Sequence, residues 1–208
     1  MSPRKVNKEE KRREVALACF DLIHDGGMKK LTVAQVAKTA GIGKGTVYEY
    51  FENKEDIIFE IINMHIEHHH NKFLETIKDV KTIREKVYCF FDFVMNDSEE
   101  NVKHLNGYRE YLSIVLSDEN EDMCNFNEKC NNFFKEQLVV MIEEGISNGE
   151  LQELARSFID GMLIFEKGVV LMKMTQLNFN AKKSCEDFLG SLFDLIEVKK
   201  WFLKNTED

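Results

Sequence analysis

Proline is almost missing from this 208-residue chain: its one copy is Pro3, at the amino end. Sandwiches and barrels consume turn residues, so the proline-free remainder argues for long helices and against an all-β fold. Long apolar runs are missing too. Nothing approaches the roughly 18–20 residues of a membrane span, and Met1-Ser2-Pro3-Arg4-Lys5 lacks the apolar core of a secretion signal. These absences predict a cytoplasmic protein with no membrane contact. Cysteine is scarce and unpatterned. Cys19, Cys89, Cys124, Cys130 and Cys185 are odd in number and form no Cys-x-x-Cys, which speaks against a disulfide framework and fits a reducing compartment. Cys124 and Cys130 are the one close pair, a candidate redox switch beside the reading of small core residues.

What is present is a globular balance, with 43% hydrophobic and 31% charged residues. The formal charge of −9 is unevenly spread. Residues 1–54 hold 11 Lys+Arg against 7 Asp+Glu, whereas residues 55–208 hold 17 against 30. A basic amino end on an acidic body predicts that one end meets a polyanion while the rest avoids it.

Helical periodicity begins early. Val15, Ala18, Cys19 and Leu22, with Ala16, Phe20 and Ile23, predict an amphipathic helix from Lys8 to about Asp25, where Gly26 and Gly27 break it. A second, short helix is predicted from Thr32, an N-cap with Gln35 at the capping-box position, to Gly41. A third starts at Gly43 and runs to Phe51. Val47 and Phe51 are spaced to pack inward, leaving Lys44, Thr46, Tyr48 and Tyr50 facing elsewhere. Asn53 caps the next helix, with Asp56 three residues on. Two short helices joined by a glycine-containing turn, behind a longer one, make a helix-turn-helix. Ala37 and Gly41 are expected to be small because the helices cross closely, with Ile42 and Val47 filling the angle. The amino end of the second short helix, with its N–H groups and Lys44, suits a phosphate, and the helix itself suits a major groove.

The segment Lys8–Ile66 resembles the DNA-binding domain of the TetR family of bacterial repressors. The likeness rests on Leu31-Thr32-Val33, Val36-Ala37, Ala40-Gly41-Ile42, Lys44-Gly45-Thr46-Val47-Tyr48, Tyr50-Phe51 and Asn53-Lys54-Glu55-Asp56. It implies that Thr32 contacts phosphate, that Lys44, Gly45 and Thr46 enter the groove, that Tyr48 and Tyr50 meet phosphate or base, and that Lys54 anchors a phosphate. Gln35 either reads a base or only caps its helix. Glu49 is the least typical position and is read as facing water.

Beyond residue 54, helices are expected at about Ile57–Ile77, Ile83–Met95, Leu105–Leu116, Cys124–Ile146, Leu151–Met174 and Cys185–Leu203, with turns at 147–151 and 178–180. The expected fold is therefore all-α: a three-helix helix-turn-helix domain over residues 1–54, then a larger helical domain for effector binding and dimerisation over residues 55–208. The last two helices are apolar nearly all round, which a small monomer cannot bury. Gly161, Phe165, Gly168, Met172, Phe188, Leu192, Leu195 and Ile196 are read as a homodimer interface, an arrangement the resemblance also implies. Two heads would then read a palindromic double-stranded operator. Fourteen of the 16 Phe residues lie after residue 54, suiting either an ordinary core or a cavity for a small, largely apolar effector. His104, Tyr108, Arg109, Tyr111, Asn127 and Phe165 are its candidate contacts.

Rival patterns are thinner. His65, His68, His69 and His70, with Glu67, form a histidine run that is read as solvated rather than metal-binding, and no second Glu-x-x-His exists. Gly145-Ile146-Ser147-Asn148-Gly149 matches a nucleophile elbow by letter, but a helix precedes it where a strand is required. The sequence thus points to a DNA-binding regulator released by a ligand and not to an enzyme; no cofactor is expected. A metal-dependent helical enzyme with a mimic hairpin, and a DNA-binding protein without ligand, remain the alternatives.

Overall fold

A computed structural model describes residues 7–19, 22, 27, 30–116 and 121–199. The fold is all-α, and the described residues contain no strand, only a single bridge between Leu151 and Glu197. Nine α-helices are described: α1 Lys8–Ala18, α2 Val33–Thr39, α3 Lys44–Tyr50, α4 Lys54–Ile77, α5 Ile83–Met95, α6 Glu99–Val115, α7 Glu121–Ser147, α8 Ile159–Thr175 and α9 Ala181–Ile196. None is long and apolar enough to cross a membrane. The predicted continuation of the first helix through Phe20, Asp21 and Ile23–Asp25 lies outside the described residues; the last helix, predicted to reach Leu203, stops at Ile196, where Glu197 is extended.

The chain divides into two compact units. One comprises residues 1–72 and 106–127, the other residues 73–105 and 128–208, so the division falls inside α4, α6 and α7. In the first unit the core is Val15, Ala16, Cys19, Leu31, Val36, Ala37, Val47, Phe51, Ile57, Ile58 and Ile61, all buried. This is the inward stripe of four short-period patterns closing on one another. Phe59 stacks on Phe126 at 4.6 Å, and Tyr111 meets Phe126 edge-on at 6.2 Å.

In the second unit α5, α8 and α9 pack together. Thr82 and Glu85 form a capping box that starts α5 at Ile83. Val87, Phe91, Val94, Met162, Val169, Val170, Cys185, Leu189, Leu192, Phe193 and Ile196 fill the core. Arg84 ties α5 to the end of α9, donating to both Glu197 oxygens at 2.8 and 2.9 Å and to Asp194 at 3.0 Å. Gly145 lies inside α7, where an added Cβ would come within 2.7 Å of Leu151 and 2.9 Å of Ile83. Its smallness serves packing, and Gly149, at φ +78°, is the residue that reverses the chain. The hydrolase-like letters are thus a packed helix end. The helix predicted for Leu151–Met174 is two elements: a 3-10 segment over Glu153–Phe158, then α8. Leu151 and Gln152 are extended because their neighbourhood bonds to the chain after α9, with Gln152 N–H donating to the Ile196 carbonyl at 2.8 Å and Val198 N–H to the Glu150 carbonyl at 2.9 Å.

Candidate nucleic-acid interface

The helix-turn-helix is built by local chemistry. Thr32 has extended backbone angles and its Oγ1 accepts the Gln35 N–H at 3.2 Å, while Gln35 Oε1 accepts the Thr32 N–H at 2.9 Å and the Thr32 hydroxyl at 2.7 Å. The reciprocal box starts α2 and occupies the Gln35 carbonyl oxygen with capping. At the other end Gly41 has φ +66°, and the Ile42 N–H donates to the Ala37 carbonyl at 3.0 Å. An L-residue is strained at that φ. Nothing lies within 4 Å of a Cβ built on Gly41, so the glycine answers the backbone's demand and not a close helix crossing, which corrects the packing role expected for it.

Gly43 then caps α3 with no side-chain hydrogen bond. Of the seven residues of α3, Val47 alone is buried. Lys44, Gly45 and Glu49 are exposed, Tyr48 is 56% exposed, and Thr46 and Tyr50 are half-buried. A two-turn helix held by one buried valine and by Phe51 just beyond it leaves most of its surface outward. Asn53 Oδ1 accepts the Asp56 N–H at 2.7 Å, and Lys54 opens α4 half-buried. Asp56 does not complete a capping box. Its carboxylate accepts the Glu52 N–H at 3.1 Å, one residue ahead of the cap, and goes otherwise to Arg12, with 2.7 Å from Nη2 to Oδ1 and 3.0 Å from Nη1 to Oδ2. The hydrogen bond from Arg12 holds the Asp56 carboxyl below its ordinary value, against the opposing effect of burial.

Arg12 is the residue that sequence reasoning missed. It sits on the polar side of α1 and reaches acceptors 38 to 48 residues away, so no local spacing announces it. Beside it, Arg13 pairs with Glu67 at 2.5 Å.

The six residues proposed as effector contacts divide between the units. Tyr108, Arg109, Tyr111 and Asn127 belong to the first, and His104 and Phe165 to the second. Tyr111 is buried and its hydroxyl donates to Asn127 Oδ1 at 3.3 Å, with Tyr108 at 5.9 Å between ring centres. Arg109 is exposed and His104 half-buried. Phe165 stacks on Phe188 at 3.9 Å and lies 6.2 Å from Phe91. Of the interface candidates, Gly161, Gly168, Met172 and Leu195 are exposed. Leu192 and Ile196 are 6% and 0% exposed, inside the protomer, and have no surface to offer a partner. Two residues outside the expected set share the open side of α8: Ile164 at 70% and Leu171 at 55% exposure. Following the Gly161–Gly168 face at helical period would have reached both. His68 is exposed and its ring lies 5.9 Å from that of half-buried His69; the side chain of His65 is outside the description. No three His, Cys, Asp or Glu among the described residues are placed to hold a metal ion.

Comparison with known proteins joins this geometry to a family. Residues 18–61, which span α2, α3 and the start of α4, match the sequence model of bacterial regulatory proteins of the tetR family. The fatty acid metabolism regulator protein of Bacillus subtilis strain 168 is 26% identical over 164 residues, covering 75% of this chain and 81% of that one. A TetR-family transcriptional regulator from Cytophaga hutchinsonii has the same fold, with a TM-score of 0.72 at 18% identity over 94% of this chain and 100% of that one. The regulator FadR from Bacillus subtilis, solved in complex with stearoyl-CoA, aligns with a TM-score of 0.57 at 22% identity over 86% and 96% of the two chains. With its helix-turn-helix built as described and matched by that model, the chain carries a DNA-binding domain of the tetR type and is a DNA-binding regulator of transcription.

Proposed function

We propose that the protein is a cytoplasmic homodimeric repressor that binds a palindromic operator and leaves it when a small, largely apolar effector binds. Residues 1–54 form the DNA-reading domain, and residues 55–208 bind the effector and dimerise. The observation that carries the reading is α3, a short helix with a single buried residue and with Lys44 and Tyr48 turned outward. Its amino end offers backbone N–H groups and a lysine to a phosphate, and Tyr48 follows one turn later. Thr32, Lys44, Gly45, Thr46, Tyr48, Tyr50 and Lys54 make the DNA contacts, and Gln35 serves chiefly as a cap. Dimerisation is supported by the open apolar side of α8, where Gly161, Ile164, Gly168, Leu171 and Met172 recur at helical spacing with Leu195 of α9 also exposed. The effector is an acylated molecule. That class is suggested by the Bacillus subtilis relatives, one a fatty acid metabolism regulator protein and one a regulator bound to stearoyl-CoA.

The test is a gel shift on an operator selected from random DNA. Affinity should fall steeply with salt. Lys44→Ala should lower the salt slope by about 1, and Tyr48→Ala should weaken binding by about 1–3 kcal/mol if it reads a base. Stearoyl-CoA should release the duplex. Failure to select any operator would sink the repressor reading; selection without release by any acyl-CoA would sink the effector alone.

A further inference from the structure

The head contains a basic residue that its own fold consumes. Arginine has five N–H groups in a planar fork. In Arg12 each has an acceptor inside the protein. Nε donates to Glu60 Oε2 at 3.2 Å, Nη1 to the Tyr50 carbonyl at 2.7 Å and to Asp56 Oδ2 at 3.0 Å, and Nη2 to Asp56 Oδ1 at 2.7 Å and Glu60 Oε2 at 3.1 Å. The guanidinium also lies over the Phe51 ring at 4.7 Å. The three charged side chains are 18–23% exposed, so the cluster is shielded from salt and water without being sealed. No N–H is left for a phosphate.

The acceptors belong to different elements. Tyr50 is the last residue of α3, and its carbonyl is one of those that a helix end leaves without an internal partner. Asp56 and Glu60 are one turn apart on α4, and Arg12 itself is on α1. One planar group therefore fixes the end of the recognition helix against two supporting helices at once. α3 is otherwise held by packing on α2 and α1 through buried Val47 and Phe51, apolar contacts that set its depth but carry no directional bond.

We infer that Arg12 is a positioning residue for sequence readout: it sets the angle at which α3 presents Lys44, Tyr48 and their neighbours, without touching DNA. The inference rests on the operator-binding function proposed above. It separates Arg12 from Lys44 and Lys54, because its loss should damage discrimination between sequences and leave attraction to the phosphate backbone intact. Lysine cannot substitute. It keeps the charge, but its three N–H groups radiate from one nitrogen and cannot span two carboxylates and a carbonyl in a plane.

The experiment measures dissociation constants of wild type, Arg12→Lys and Lys44→Ala for the selected operator and for a scrambled duplex of equal length, over a salt series. Circular dichroism is recorded on the same samples. Arg12→Lys should weaken operator binding about tenfold or more, as expected for the loss of one or two charge-assisted bonds. It should leave the scrambled duplex within about twofold and the operator salt slope unchanged, whereas a phosphate contact would lower that slope by about 1. Should Arg12→Lys fail to fold, Glu60→Ala removes two of the five bonds and leaves those to Asp56 and Tyr50; its ratio of operator to scrambled affinity should fall about threefold, a partial loss of the same fastening. Equal weakening for both duplexes, a lowered slope, or an unchanged ratio in both variants would overturn the inference. If wild type itself distinguished no sequence, the operator reading would fail first, and the two failures are separable.

Discussion

Replacing Ile164 by glutamate should abolish the proposed dimer while sparing the protomer. The residue is 70% exposed in the single chain, on the same side of α8 as exposed Gly161, Gly168, Leu171 and Met172. Burying an isoleucine completely is worth about 1.5–3 kcal/mol, so covering the exposed share yields about 1–2 kcal/mol per copy. A twofold interface uses the residue twice, giving about 2–4 kcal/mol, or roughly 30- to 1,000-fold in the dimer dissociation constant. Glutamate forfeits that gain and adds the cost of burying two carboxylates in the interface, several kcal/mol unless they are paired. It is also a better helix former than isoleucine, so α8 itself should not suffer. Sedimentation equilibrium should report a monomer at concentrations where wild type is dimeric. The melting temperature should rise with protein concentration for wild type and not for the variant. Leu192→Ala is the contrast. That residue is buried within the protomer, so its truncation should lower melting by a cavity cost of about 2–5 kcal/mol in either oligomeric state. A dimer of unchanged affinity in Ile164→Glu would refute the assignment of this face.

Two further outcomes follow from the titrating groups. Asp56 is held below the ordinary carboxylate value, chiefly by its hydrogen bond from Arg12, so its contribution to stability is complete above about pH 4 and is lost as pH falls through the depressed value. Denaturant midpoints of Asp56→Asn should be lower than those of wild type at pH 7, and the gap should close below about pH 4; parallel pH curves would refute the linkage. Burial pushes the Cys19 and Cys185 thiols up to about 11, leaving each roughly a thousandth thiolate at pH 8, whereas Cys124 is exposed. Mass spectrometry after brief iodoacetamide treatment should find Cys124 alkylated first, and equal rates at the three sites would contradict the burial.

What could be read from the chain was what neighbours within one turn decide. Thr32 and Gln35 are three residues apart, and the pair marks a helix start where the structure has one. Gly41 marked the turn by type, though for its φ of +66° and not for space. What could not be read was decided by partners far away in sequence. The 3-10 segment at Glu153–Phe158 has a helical pattern, but Glu150 and Gln152 are claimed by carbonyl and N–H groups beside Ile196, and that pairing keeps the chain extended where a helix would begin. Arg12 looks like any basic residue of a basic head until Tyr50, Asp56 and Glu60 close on it.

The apolar helices pose the hardest case, because a helix oily on every side carries no sign of which side its own chain will cover. Periodicity alone cannot divide α8 and α9 into core and interface. The polar exception is more informative than the apolar rule. Glu166 is 8% exposed beside Lys167 Nζ at 3.2 Å, so the buried side of α8 is the one that runs through Met162, Glu166, Val169 and Val170. An acid that must be taken out of water needs a compensating charge, and Lys167 at the next position, its ammonium 5.0 Å from the Phe134 ring, supplies one by proximity, although Glu166 Oε2 makes no hydrogen bond among the described residues. The opposite side, with two glycines and the most exposed isoleucine of the helix, is then the one left for a second copy. Charged residues stranded on an apolar helix thus orient it better than its hydrophobic ones, since their burial is tolerable only in the company the fold provides.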